Sequence, residues 1–166
     1  MEGAISLMEG DDMYLRITLA ALHLIALGLG LGAVIQRGSA LRESPTPSSL
    51  KRVFRHDAMW GIAALLWLST GLWRLLGEIE KPLGYYFQNH VFNAKMGFFV
   101  LIILLELSPA ITLARWRRSV ARGEPPELVA SPGTARRLAT ISHIEALLVV
   151  LMVFAATIMA RGLGTS

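Results

Sequence analysis

The chain has 166 residues, 54% of them hydrophobic and 17% charged, with a net charge of +4 and no cysteine. Its mean hydropathy of +0.52 is hard to reconcile with a soluble domain of this size. The lack of cysteine excludes disulfides, thiolate-ligated haem, iron–sulfur clusters and thiol redox chemistry.

Four apolar blocks follow one another along the chain, each flanked by charge: Ile17 to Gln36, Ala58 to Leu76, Met96 to Ala114 and Ala139 to Ala160. A run of about 18 residues or more, rising about 1.5 Å per residue, crosses a hydrocarbon core of about 30 Å. None of the four has the polar face that a helix of a soluble bundle carries. The expected fold class is therefore all-α, an integral membrane four-helix bundle forming a single domain over residues 1–166.

The pI near 10 does not point to nucleic acid, because the basic residues sit in two loops and not along one amphipathic face. Arg37, Arg42, Lys51, Arg52 and Arg55 lie between the first and second blocks. Arg115, Arg117, Arg118, Arg122, Arg136 and Arg137 lie between the third and fourth. The positive-inside rule makes both loops cytoplasmic and places both termini outside. The expected location is a bacterial inner membrane. The acidic first 15 residues, with no small-residue cleavage site after the first block, predict that the first helix is retained.

In the connections, SPTPSS (44–49) and GEPPELVASPG (123–133) read as flexible loops, and the aromatic-rich stretch from Glu78 to Asn93 reads as a short amphipathic lid at the interface. Gly28 and Gly32 form a small-xxx-small pair, and Gly61, Ala64 and Gly71 a stripe, both suited to close helix contact.

Polar residues within the blocks carry the functional reading, since an uncompensated charge at mid-membrane costs at least ~2.5 kcal/mol. His23 lies six residues into the first block, about 9 Å below its outer boundary. It is either a structural histidine or a ligand. Lys95 and Glu106 are eleven residues apart and share a helix face; Lys95 can snorkel, whereas Glu106 must be protonated or paired. Pro109 is placed to kink that helix. Asp57 suits the N-terminus of the second helix as a cap. Glu145 faces the same way as Val149, Met152 and Ala156, into the bundle, and needs a partner, whereas His143 points elsewhere. A dinuclear metal centre is disfavoured because no helix carries Glu-x-x-His.

The segments LHLIALGLGLGAVIQRG, RHDAMWGIAALLWLSTGLWR, YYFQNHVFNAKMGFFVLI and HIEALLVVLMVFAATIMARG resemble a bacterial family of predicted membrane proteins of unknown function, domain of unknown function 2214. More distantly, the chain is similar to the membrane-embedded protoporphyrinogen oxidases of the HemJ type. Their early histidine in a small-residue-rich first helix corresponds to His23. Their lysine at the start of the third helix corresponds to Lys95, with Asn93 where they have histidine. Where their fourth helix opens with an Asn-Glu pair after basic residues, this chain has His143, Ile144 and Glu145, and their tryptophan-rich signature after the first histidine is absent. This resemblance implies haem b or a porphyrin bound by His23 as axial ligand to the haem iron, and Lys95 as second ligand or as partner of a propionate. It also implies functional roles for Lys95 and Glu145, with Tyr85, Tyr86 and Trp73 flanking the site and electrons exchanged with a quinone or a respiratory partner. Two alternatives stand beside it. In one, the protein is a non-enzymatic subunit of a membrane complex whose polar residues lock helices together. In the other, an oligomer transports a small solute or protons, with Glu106 and Glu145 as a relay.

Overall fold

The computed structural model describes residues 2–77 and 83–162, apart from the side chains at 2–12, 83, 85 and 87. The described residues form six helices in order: α1 (Glu2–Ala40), α2 (Pro47–Leu76), α3 (Leu83–Gln88), α4 (His90–Ala121), α5 (Pro126–Val129) and α6 (Pro132–Ala160). There are no strands among the described residues. Met13–Ala40 of α1 and the whole of α2, α4 and α6 are long and apolar enough to cross a membrane. The chain is a membrane protein with four spanning helices.

What surrounds the bundle can be read from its surface. Leu24, Ile62, Leu65 and Phe154 are each more than 60% exposed, and a surface this apolar is stable only against hydrocarbon. The interior is correspondingly thin. One buried cluster joins Ala33, Val34, Trp60, Ile102, Val149 and Met152 at mid-bundle, and a second joins Leu41, Leu50, Val53, Leu113, Trp116 and Leu138 at the end where α5 lies.

α1 packs along α2 and α6, and α4 packs along α6. α2 and α4 have no comparable backbone contact, so the bundle is open on that side and is bridged there by side chains. Gly30 meets Trp60 and Ala63, where a Cβ would come within 3.2 Å, whereas nothing lies within 4 Å of a Cβ at Gly28, Gly32 or Gly61. The close approach of α1 to α2 therefore uses Gly30 and not the Gly28/Gly32 pair.

The helices run well beyond their apolar blocks. α2 begins at Pro47, capped by Thr46, whose hydroxyl accepts from the Ser49 amide while Ser49 accepts from the Thr46 amide. This capping box orders the end of the SPTPSS loop. Asp57 lies ten residues inside α2 and does not cap it. The GEPPELVASPG stretch contains the single turn α5, after which Ser131 caps α6. α4 continues unbroken through the buried Pro109. Of the stretch read as a lid, residues 78–82 lie outside the described residues, 83–88 form α3, and the buried Asn89 caps α4 by accepting from the amides of Val91 and Phe92.

Candidate functional site

The described structure has two polar centres, one toward each end of the bundle. At the α3 end, the Thr70 hydroxyl donates to its own helix, to the carbonyls of Leu66 (2.8 Å) and Trp67 (3.1 Å). The same oxygen lies 2.9 Å from His23 Nδ1, where it accepts from the imidazole in the tautomer that carries its proton on Nδ1. In that tautomer Nε2 is the basic nitrogen. The ring stacks on Trp67, with centroids 5.4 Å apart and planes at 26°. Gly71 leaves room for it, since a Cβ there would stand 3.0 Å from His23 Cε1. Three successive features of α2 thus hold one imidazole: a stacking surface, a hydrogen-bond acceptor and a gap.

His23 lines two adjoining cavities of about 210 and 390 Å³. Both are also lined by Trp67, Arg74, Tyr86, Lys95 and Met152, so they adjoin along these side chains as two lobes. The first lobe lies between α2 and α4, walled by Phe92, Met96 and Phe99. The second lies between α1 and α6, walled by Leu24, Leu27, Val153 and Ala156. Apolar and aromatic walls carrying a few convergent polar groups are the usual form of a small-molecule site. Of the residues expected to flank the site, Tyr86 lines it, Trp73 is 58% exposed, and the Tyr85 side chain lies outside the described residues.

The second centre is built on Arg37, some 21 Å further along α1 by helix rise. Arg37 was expected in the first basic loop. Instead it is fully buried, because α1 continues to Ala40 and its stripe of buried residues runs Ala33, Val34, Arg37, Ala40. Its guanidinium donates from Nε to Ser142 (3.0 Å), from Nη1 to Asp57 (2.9 Å) and Glu106 (2.8 Å), and from Nη2 to Glu106 (2.8 Å) and Glu145 (2.7 Å). All five N–H groups are used, with Glu106 held by both arms of the fork. Trp60 Nε1 adds a bond to Glu106 (3.1 Å), and Arg117 joins Asp57 to the backbone carbonyl of Phe54. One cation therefore ties all four spanning helices together.

Of the residues singled out in the sequence, the structure brings His23 and Lys95 to one cavity and places Glu106, Glu145 and Asp57 on Arg37. Glu145 lines neither lobe. It lies two turns along α6 from Met152, toward the opposite end. His143 faces Gly38, and its Nδ1 lies 2.6 Å from the Ala139 carbonyl. Arg37, Trp60 and Ser142 were missed. The signal for Arg37 was present: three carboxylates inside apolar blocks call for an inward cation, and Arg37 is the basic residue in register with the α1 interior stripe. Among the described residues no group of three or more histidine, aspartate or glutamate side chains is arranged to hold a metal ion.

A family described as "Predicted membrane protein (DUF2214)" matches residues 15–164. The chain belongs to that family. The match takes in all four spanning helices and both polar centres. Comparison with curated proteins gave no match, nor did comparison with solved structures.

Proposed function

We propose that this protein holds haem b or a related porphyrin in the two-lobed cavity at the α3 end, and exchanges electrons there with a quinone or a respiratory partner in a bacterial inner membrane. The observation that carries the reading is the pose of His23. An imidazole whose Nδ1–H is held by a hydrogen bond and whose Nε2 is the basic nitrogen is the form in which histidine binds a metal from one side.

The rest of the lining fits such a group. Met152 and Met159 bring thioethers, soft ligands suited to haem iron, to the same space. Trp67, Tyr86, Phe92 and Phe99 supply flat apolar walls. Lys95 and Arg74 offer cations to carboxylates such as propionates, and Lys95 is the alternative second ligand. The separation of α2 from α4 gives a lipid-soluble quinone a way in from the side. The distant likeness to the membrane-embedded protoporphyrinogen oxidases, carried by His23 and Lys95, supports a tetrapyrrole over other flat molecules. Bound haem would supply one-electron exchange; the chain supplies orientation, exclusion of water and charge balance. Glu145 belongs to the other centre, so its role is separate from that of Lys95.

The test is an optical spectrum of the protein purified in mild detergent from haem-replete cells. The expected result is a Soret band that His23→Ala removes while the variant still elutes as a folded bundle. Lys95→Ala should keep the band and weaken haem binding about 10-fold, the loss of one charge-assisted contact. A colourless wild-type preparation that takes up no added haemin overturns the reading.

The runner-up is a non-enzymatic subunit of a membrane complex. The observation favouring it is the Arg37 network, which uses Glu106 and Glu145 to join helices. Under that reading His23→Ala would alter stability or partner retention, and no pigment would be present to lose.

A further inference from the structure

The Arg37 centre contains one more carboxylate than cations. Arg37 and Arg117 face Asp57, Glu106 and Glu145. Both oxygens of Asp57 receive a guanidinium N–H, and so do both oxygens of Glu106. Glu145 Oε2 receives one from Arg37, but Glu145 Oε1 receives none and is buried in a fully enclosed side chain. It is thus the only oxygen of the three carboxyl groups with no donor. Glu145 and Glu106 are neighbours, because both accept from the same Arg37 Nη2, at 2.7 and 2.8 Å. Two carboxyl groups attract each other only when one of them is protonated.

We infer that Glu145 holds an exchangeable proton on Oε1, shared with Glu106, so that the Arg37 centre is a proton-binding site. Loading it is a simple association: Oε1 takes a proton delivered from water, the carboxylate becomes a carboxylic acid, and the cluster passes from one net negative charge to neutrality. All five donors of Arg37 stay in place throughout. Glu145 has no exposure and Glu106 has 24%, so exchange runs over Glu106. The other titratable groups on the neighbouring turns are His56 of α2 and His143 of α6. His56 Nδ1 is buried without a hydrogen-bond partner, and His143 is held to the Ala139 carbonyl. Neither takes part in the hydrogen bonds of the cluster. The inference does not depend on haem binding, because no residue of this centre lines the cavity.

Infrared spectroscopy of the full chain in detergent or liposomes reads the proton directly. At neutral pH, where exposed carboxyl groups are ionised, the wild type should show the carbonyl stretch of a protonated carboxylic acid, shifted down in D2O. Glu145→Gln, a neutral amide of the same shape, should remove that band and still elute as a folded bundle. Glu106→Gln should keep the band and move its frequency. No protonated-carboxyl band in the wild type overturns the proposal, and so does a band unchanged in Glu145→Gln. Should Glu145→Gln fail to fold, the wild-type spectrum with its D2O shift decides alone, since presence of the band supports the site and absence rejects it.

Discussion

Arg37 is the side chain whose removal the bundle should tolerate least. A buried ion pair is modest evidence of net stabilisation, but taking away one partner leaves the others uncompensated, at a penalty of about 3–5 kcal/mol. Arg37→Leu leaves Glu106 and Glu145 without a cation, and Asp57 with Arg117 alone; it should lower the melting temperature in detergent sharply or abolish recovery of folded protein. Arg37→Lys should rescue only part of this, since an ammonium has three donors at one point where the guanidinium has five in a planar fork. Fluorescence-detected size exclusion after a temperature ramp checks both; equal behaviour of lysine and arginine would show that charge alone, and not the fork, holds the network. The need of Glu106 and Glu145 for a partner was legible from their position in apolar blocks. Which residue answers it is not, because hydropathy ends the first block at Gln36 and leaves the next residue in the loop.

Between helices, contact depends on which small residues face a neighbour, and spacing alone does not decide it. Gly28 and Gly32 have the i, i+4 spacing of a packing motif, yet open space lies beside both, and Gly30 is the glycine against Trp60 and Ala63. Gly30→Val should overpack the α1–α2 contact and cost about 1–3 kcal/mol, whereas Gly28→Val and Gly32→Val should be close to neutral. Thermal unfolding of the three variants compares them directly, and a larger loss at Gly28 or Gly32 than at Gly30 would contradict the observed packing. The same limit explains Asp57. The first ten residues of α2, from Pro47 to His56, are amphipathic, with Leu50 and Val53 buried among polar neighbours. A search for apolar runs starts the helix at Ala58 and turns an interior carboxylate into a cap.

For the molecule as a whole, the placement of charge sets the expected orientation. Moving Arg37 from loop to interior removes one cation from the first basic segment, but Arg42, Lys51, Arg52 and Arg55 remain on that side, with Arg115, Arg117, Arg118 and Arg122 at the end of α4. The expected topology keeps the α5 end in the cytoplasm and both termini outside. A C-terminal alkaline phosphatase fusion should be active and a C-terminal green fluorescent protein fusion dark; the reverse pattern would invert the bundle and put the His23 cavity on the cytoplasmic side. With only a thin buried interior, the chain should also partition entirely into the detergent phase.

The all-helical membrane fold with four spans, and the need for each intramembrane carboxylate to be compensated, were determined by the sequence alone. Both follow from hydropathy and the cost of burying charge, which are local properties of a segment in hydrocarbon. Tertiary structure decided which residues meet: His23 with Thr70 and Trp67, beside a cavity that Lys95 also lines, and Arg37 with three acids from three other helices. Those meetings depend on helix rotation and on where each helix ends. A few tens of degrees of rotation, or one more turn of α1, separates a loop arginine from the centre of the bundle, and no apolar run records the difference.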